Sequence, residues 1–197
     1  MRIISGSLKG RVISGQVHEG VRPTTDRMRQ SIFSALEHYQ TKAWSECEVL
    51  DICAGTGALG FEALSRGAKR CIFVEKNPIV AKTIRSNAEE LSISKEDSPI
   101  ALSDALTFLA TIQTQQYPKD YPNSWDIIFC DPPYSARLLN KVVDKIVLDK
   151  LLTAHGLFIA EHDTVETILP PKELSSISSL EFGVTQVDIL HYSNIKE

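Results

Sequence analysis

One short stretch combines residue types that could act on a flat amine: Asp131-Pro132-Pro133-Tyr134. Two adjacent prolines fix φ and remove two backbone donors. The residue before a proline is held extended, so Asp131 and Pro132 are both stiff. Such a turn offers the Asp131 carboxylate and the Pro132 carbonyl as acceptors, with few local donors to satisfy them. An amino group on a planar ring could supply those donors, and Tyr134 could stack on the ring's face. The preceding run, Asp126-Ile127-Ile128-Phe129-Cys130, reads as a buried strand and would carry the turn at its end.

A second set of residues suits a cofactor. In Asp51-Ile52-Cys53-Ala54-Gly55-Thr56-Gly57-Ala58-Leu59-Gly60 the glycines match G-x-G-x-x-G between a strand and a helix. Gly55 and Gly57 would permit a tight turn and close approach of a ligand, while Gly60 would allow helix–strand packing. Dinucleotide enzymes share this pattern, and Asp51 discriminates. A carboxylate at the strand's end is poor company for a pyrophosphate. It suits a cofactor bearing an ammonium and a sulfonium, which favours S-adenosylmethionine over NAD.

Glu75 ends the next strand and could accept both ribose hydroxyls; the bland alternative is a surface acid beside Lys76 and Asn77. Asp104, in Ser103-Asp104-Ala105, could accept the adenine amino group or simply cap a helix, and both can hold at once. The candidate cofactor set is therefore Asp51, Ala54, Gly55, Gly57, Glu75, Lys76, Asp104 and Ala105.

The elements that must position these groups follow from periodicity. From Glu48 the chain alternates strand and helix: strands at 49–53, 71–75, 99–102, 126–130 and 156–160, helices at 58–66, 78–91, 104–112 and 137–148. Two late strand-like runs, 178–183 and 186–192, have no long helix between them. Alternation implies a parallel sheet covered on both faces, and the last pair implies an antiparallel hairpin at one edge. The expected fold is α/β, a Rossmann-like, doubly wound, mostly parallel sheet. Two short β-like runs, Arg2-Ile3-Ile4 and Arg11-Val12-Ile13, predict a hairpin ahead of it. Thr24 or Thr25 could cap an amphipathic helix over 26–39. One domain is expected over 1–197, with a hairpin-and-helix extension at 1–40 and a catalytic core at 48–193.

Charge is uneven. The chain carries a net −4, yet residues 1–30 hold six Lys/Arg against two acids. A net charge of this sign argues against a protein that coats nucleic acid non-specifically, and any phosphate contacts should concentrate in the basic N-terminal arm. Arg11, Arg22, Thr25, Arg27 and Arg29 are the candidates there, with a solvated, mildly basic hairpin as the alternative. Four cysteines lack a CxxC pair and read as reduced core residues. The histidines show neither HxxxH nor HExxH, so no metal is expected. No apolar run reaches the ~20 residues that span a bilayer, and no signal peptide is evident, so a cytoplasmic protein without membrane contact is expected. No apolar seam argues for more than a monomer.

The [D/N]-P-P-[Y/F] turn after the fourth strand resembles the signature of methyltransferases acting on exocyclic or amide nitrogen. Combined with Arg22-Pro23-Thr24-Thr25-Asp26-Arg27, the 51–60 motif and Glu75, the sequence resembles the RsmD family, the small-subunit ribosomal RNA guanine-N2 methyltransferases. The resemblance runs from Arg2 to about His191, and its N-terminal motif is the family-specific part. It implies methyl transfer to the N2 amine of one guanine in 16S rRNA, within the assembled small ribosomal subunit, with Asp131, Pro132 and Tyr134 catalytic. The polar stretch 113–125 is longer than the family leads one to expect.

Three other readings compete. One is adenine-N6 or protein-amide methylation, which usually shows Asn where this chain has Asp131. Another is an NAD-dependent oxidoreductase, disfavoured by Asp51. The third is a non-catalytic RNA-binding module, disfavoured by the intact motifs.

Overall fold

The computed structural model describes residues 1–15, 25–132, 138–166 and 168–193. Seven strands form one sheet: β1 (Glu48–Ile52), β2 (Arg70–Glu75), β3 (Ile100–Leu102), β4 (Trp125–Cys130), β5 (Leu152–Asp163), β6 (Leu174–Phe182) and β7 (Thr185–Tyr192). Their order is β3-β2-β1-β4-β5-β7-β6. The first five are mutually parallel, and β7 runs antiparallel to both β5 and β6. The doubly wound sheet with an antiparallel edge is thus as the sequence suggested. The order reverses between β1 and β4, and ligands of such sheets bind outside the carboxyl ends of the strands at that crevice.

Helices α1 (Asp26–Tyr39), α2 (Ala58–Ser65) and α3 (Pro78–Glu90) cover one face. Helices α4 (Ala105–Thr111) and α5 (Leu139–Leu148) cover the other. With both faces buried, the central strands are continuous apolar runs, and β4 has no exposed residue. Local chemistry sets the helix starts. Thr25 accepts from Met28 N at 3.2 Å, Asn77 caps α3 ahead of Pro78, and Asp104 accepts from Thr107 N at 3.0 Å.

The N-terminal segment forms the expected hairpin, with a ladder only a few residues long. Arg2 and Val12 form an antiparallel bridge, flanked by backbone hydrogen bonds between Met1 and Ile13 and between Ile3 and Gly10–Arg11, and the pairing ends at Ile3. The reason is a competing acceptor. Ile4 N and Ser5 N donate to the Glu62 carboxylate of α2 at 2.7 and 3.0 Å, so these donors are taken from a ladder. Leu8 N donates to Ser65 Oγ at 3.0 Å, and Ser65 Oγ donates to Ser5 O at 2.5 Å. A Cβ on Gly6 would lie 1.9 Å from Ser65 O. The hairpin is a docked loop, held by the helix that follows the glycine-rich turn.

Two strands start earlier than expected, β5 at Leu152 and β6 at Leu174. Polar Thr153 and His155, with small Ala154 between them, hide the start of β5, and serines hide β6. The stretch 113–125 sits between α4 and the N-terminal end of β4, at the edge of the sheet opposite the strands' carboxyl ends. Tyr117 packs edge-on to Phe108 and Tyr121, its hydroxyl donates to Pro122 O at 2.7 Å, and Arg70 stacks over Tyr121 while donating to Asp120 O at 2.8 Å. That turn closes the bottom of the sheet and takes no part in the crevice. Among the described residues, no helix is long and apolar enough to cross a membrane.

Candidate active site

β1, β2 and β4 each carry an acid within one residue of their carboxyl ends, and the register brings these ends level. Asp51 lies opposite Phe73 on one side and Phe129 on the other, and Ile52 lies opposite Val74 and Cys130. Glu75 is the last residue of β2, and Asp131 follows Cys130 directly. Between them the chain turns sharply. Cys53 has φ 61° and Gly57 has φ 78°, and Gly57 N donates to Ala54 O at 2.7 Å. Left-handed backbone is costly for Cys53, and such strain concentrates at ligand sites. Gly60 faces β2 so closely that a Cβ would lie 2.3 Å from Phe73 Cε1 and 2.6 Å from Cys71 Sγ. That is the helix–strand packing its place in the motif implied.

The acids hold the turn as well as line it. Asp51 Oδ2 accepts from Gly60 N at 3.0 Å. Glu75 Oε2 accepts from Gly55 N at 3.1 Å, and its Oε1 accepts from Asn77 N at 2.8 Å. A carboxylate oxygen has two lone-pair directions, so both Glu75 oxygens retain acceptor capacity. Ala54 and Gly55 are half-buried beside them, Lys76 is exposed, and Ala105 is buried in the first turn of α4 behind the exposed Asp104.

Crowding of negative charge marks the crevice. Burial pushes the Asp131 carboxyl up from the ordinary 3.8 to about 7. Burial raises Asp51 as well. The Gly60 N–H opposes that rise, and the charges of Asp131 and Glu75 add to it. Cys53 is pushed up to about 12, by burial first and then by Glu75, Asp131 and Asp51. A ligand bearing positive charge relieves this crowding, and an anionic pyrophosphate adds to it. Pro132 is buried at the head of the turn. Tyr134 and Arg22 lie outside the described residues.

The basic candidates divide. Arg29 is 1 % exposed. Its Nη2 donates to Arg2 O at 2.8 Å and to Asp26 Oδ1 at 2.7 Å. The expectation that Arg29 faces RNA is corrected: the arginine braces the hairpin against α1, because its helical position points inward. Arg11 is exposed but donates to Glu90 O in the last turn of α3, remote from the crevice. The Thr25 hydroxyl is occupied as a helix cap. Arg27 is exposed at the start of α1.

Asn87 and Glu62 escaped the sequence reading. Both are polar residues on helix faces that otherwise read as apolar, and each is buried because it binds backbone of the N-terminal segment. The signal available was that mismatch alone. Residues 11–15 climb along α3, with Arg11 at Glu90, Ser14 at Asn87, and Gly15 against Thr56, where a Cβ would lie 2.5 Å from Thr56 Cγ2. The arm therefore arrives at the glycine-rich turn.

The chain is similar to known methyltransferases in sequence and in fold. The chain is 32% identical to Ribosomal RNA small subunit methyltransferase D of Haemophilus influenzae over 184 residues, 93% of this chain and 90% of that protein. Among solved structures, the Escherichia coli candidate methyltransferase yhhF matches with a TM-score of 0.81 at 24% identity, over 98% of each chain. A candidate methyltransferase, SMU.776, in complex with SAH matches with a TM-score of 0.64 at 14% identity, over 83% of this chain and 49% of that one. The fold is that of class I S-adenosylmethionine-dependent methyltransferases. Residues 1–191 match the family described as conserved hypothetical protein 95, and the chain belongs to that family, the RsmD family that its motifs resemble.

Proposed function

We propose that this protein transfers a methyl group from S-adenosylmethionine to the exocyclic N2 amine of one guanine in 16S rRNA, acting as a monomer on the assembled small ribosomal subunit in the cytoplasm. The observation that carries the reading is the convergence of Asp51, Glu75 and Asp131 on one sheet edge, beside a turn stiffened by Pro132. The H. influenzae relative's name supports the substrate class.

The residues present fit the cofactor. The glycine-rich turn admits a ligand close to backbone, Glu75 keeps acceptor capacity for a diol, and the acids of the crevice favour a cationic group. Asp51, Ala54, Gly55, Gly57 and Glu75 would hold it, with Lys76, Asp104 and Ala105 around the adenosine. When bound, S-adenosylmethionine supplies an electrophilic methyl group.

The chain's own part is to make a poor nucleophile adequate. A guanine amine is weak because its lone pair is delocalised into the ring. Hydrogen bonds from the amine to the Asp131 carboxylate and the Pro132 carbonyl orient that lone pair outward and stabilise positive charge developing on nitrogen. With its carboxyl near 7, Asp131 is able to take the proton the methylated amine sheds. Tyr134 serves as the stacking partner for a base drawn out of its helix. Much of the rate then comes from alignment rather than from a strong base. Arg22 and Arg27 bind the RNA or the cofactor's carboxylate.

The test is methyl transfer from radiolabelled S-adenosylmethionine to small subunits lacking the modification, free 16S rRNA and DNA in parallel, followed by digestion to nucleosides. Label in N2-methylguanosine, strongest from the particle, is the expected result. Label in N6-methyladenine overturns the guanine assignment and keeps the site. No label in any nucleic acid, with cofactor bound, overturns the RNA reading.

A further inference from the structure

The outer side of α1 carries a groove that the methyl-transfer site does not use. It lies between α1 and the edge strand β6 and has a volume of about 540 Å³. Six of its lining residues are Arg27, Gln30, Ser31, Ser34, His38 and Ser178, and among the described residues no acid lines it. That is unusual placement for a chain of net charge −4. Arg27, Gln30, Ser34 and His38 are all exposed. They fall at steps of three, four and four along the helix, so they form one stripe about 16 Å long.

The groove has a direction. Tyr39, at the end of α1, donates to Ile177 O near the start of β6 at 3.2 Å. β6 runs the same way as β5, because each is antiparallel to β7. Helix α1 therefore descends while β6 climbs, and Arg27 sits at the end nearer the strands' carboxyl edge. The groove starts at the carboxyl-end side of the sheet, the side on which the crevice opens, and leads away from it.

We propose that this groove carries the sugar–phosphate backbone of the RNA that flanks the target nucleotide. The inference rests on the RNA reading above and extends it to a second contact surface. The Ser34 and Ser178 hydroxyls and the Gln30 amide are donors of the kind that bind phosphate and sugar without reading sequence, while Ser31 Oγ donates to Arg27 O at 3.1 Å. Arg27 supplies the one formal charge, at the end where the strand leaves the site. The lack of acids is what a polyanion requires, and a peptide or apolar partner does not require it. The groove fixes the register of the RNA strand while the crevice handles the base.

The experiment adds charge of either sign on the exposed stripe, at positions outside the catalytic and cofactor machinery. Gln30→Glu/Ser34→Asp should raise KM for the RNA substrate about tenfold, a cost of ~1.4 kcal/mol. Gln30→Lys/Ser34→Lys should lower it. kcat at saturating RNA and affinity for S-adenosylmethionine should match the unmodified protein in both, which a folding defect would not allow. A photo-crosslinking residue at position 34 should join to rRNA. Equal KM for both variants, or a rise in both, overturns the proposal, and so does a crosslink to a protein of the particle. Failure of the RNA reading itself is separate: the unmodified protein then labels no RNA, and both ideas fall before a variant is made.

Discussion

The side chain of Asn87 pairs with the backbone of Ser14 as a neighbouring strand would. Ser14 N donates to Oδ1 at 2.9 Å, and Nδ2 donates to Ser14 O at 2.8 Å. The same Nδ2 reaches Thr56 O in the glycine-rich turn at 3.4 Å. One amide, 1 % exposed, thus joins the N-terminal arm to the cofactor turn.

Asn87→Asp tests that link. A carboxylate keeps the acceptor for Ser14 N and loses the donor, leaving two backbone carbonyls facing an anion. Loss of a buried donor costs on the order of 1–3 kcal/mol. Urea denaturation should show a loss of that size, and calorimetric titration should show weaker S-adenosylmethionine binding through a looser turn. Wild-type stability and affinity in this variant would show that the link is incidental.

The proposed role of Asp131 predicts a reaction sensitive to pH near neutrality. Its carboxyl must be ionised to accept hydrogen bonds from the amine, so kcat/KM should rise through about 7 and level off above. Stability should move the other way. The folded pKa is raised, so this group's contribution is fully present below the unfolded value near 3.8 and is lost as pH rises through about 7. Asp131→Asn should remove that slope, lower transfer by on the order of 10² or more, and leave cofactor binding intact. A variant with full activity would exclude Asp131 from the chemistry.

How legible was all this in the sequence? The core strands were plain, because parallel strands buried on both faces are unbroken apolar runs. Asp51, Gly60 and Glu75 stood out because acid and glycine at strand ends are rare without a reason. The serine-rich edge β6 gave no clear boundaries, since Ser175, Ser176, Ser178 and Ser179 lack the branched or aromatic side chains of typical strands. The hairpin pairs as its two runs suggest, but nothing local shows why its ladder stops after Ile3, where Ile4 N turns to another acceptor. That acceptor is the Glu62 carboxylate, 58 residues from Ile4, and no local pattern announces a distant side chain as a backbone acceptor.

Gly60 allows a direct test of packing without touching any hydrogen-bonding side chain. An added methyl would meet Phe73 and Cys71 inside 3 Å, and both are fully buried with little room to shift. Gly60→Ala should destabilise the protein by about 1–3 kcal/mol despite its better helix propensity. A stabilised variant in chemical denaturation would mean that α2 can move off β2, and that the third glycine of the motif is not a spacer.

Arg29 and Arg27 lie two residues apart in one helix and should behave as opposites. Arg29 is buried against Arg2 O and Asp26, so Arg29→Ala strands the Arg2 carbonyl and opens the hairpin's seat on α1. Losing a charged donor to a backbone carbonyl costs about 1.5–3 kcal/mol, and Asp26, itself exposed, adds little. The thermal midpoint should fall by several degrees, whatever substrate is offered. Arg27→Ala removes an exposed side chain, and surface changes of that kind stay within about 0.5 kcal/mol. Its effect should appear as a higher KM for RNA and a shallower dependence of binding on salt, because one phosphate contact contributes about one unit to that slope. Melting curves of the two variants, set beside KM measured at two salt concentrations, separate the roles. If Arg27→Ala leaves both KM and the salt slope unchanged, Arg27 is only a surface charge. If Arg29→Ala melts like the unmodified protein, the buried brace contributes nothing to stability.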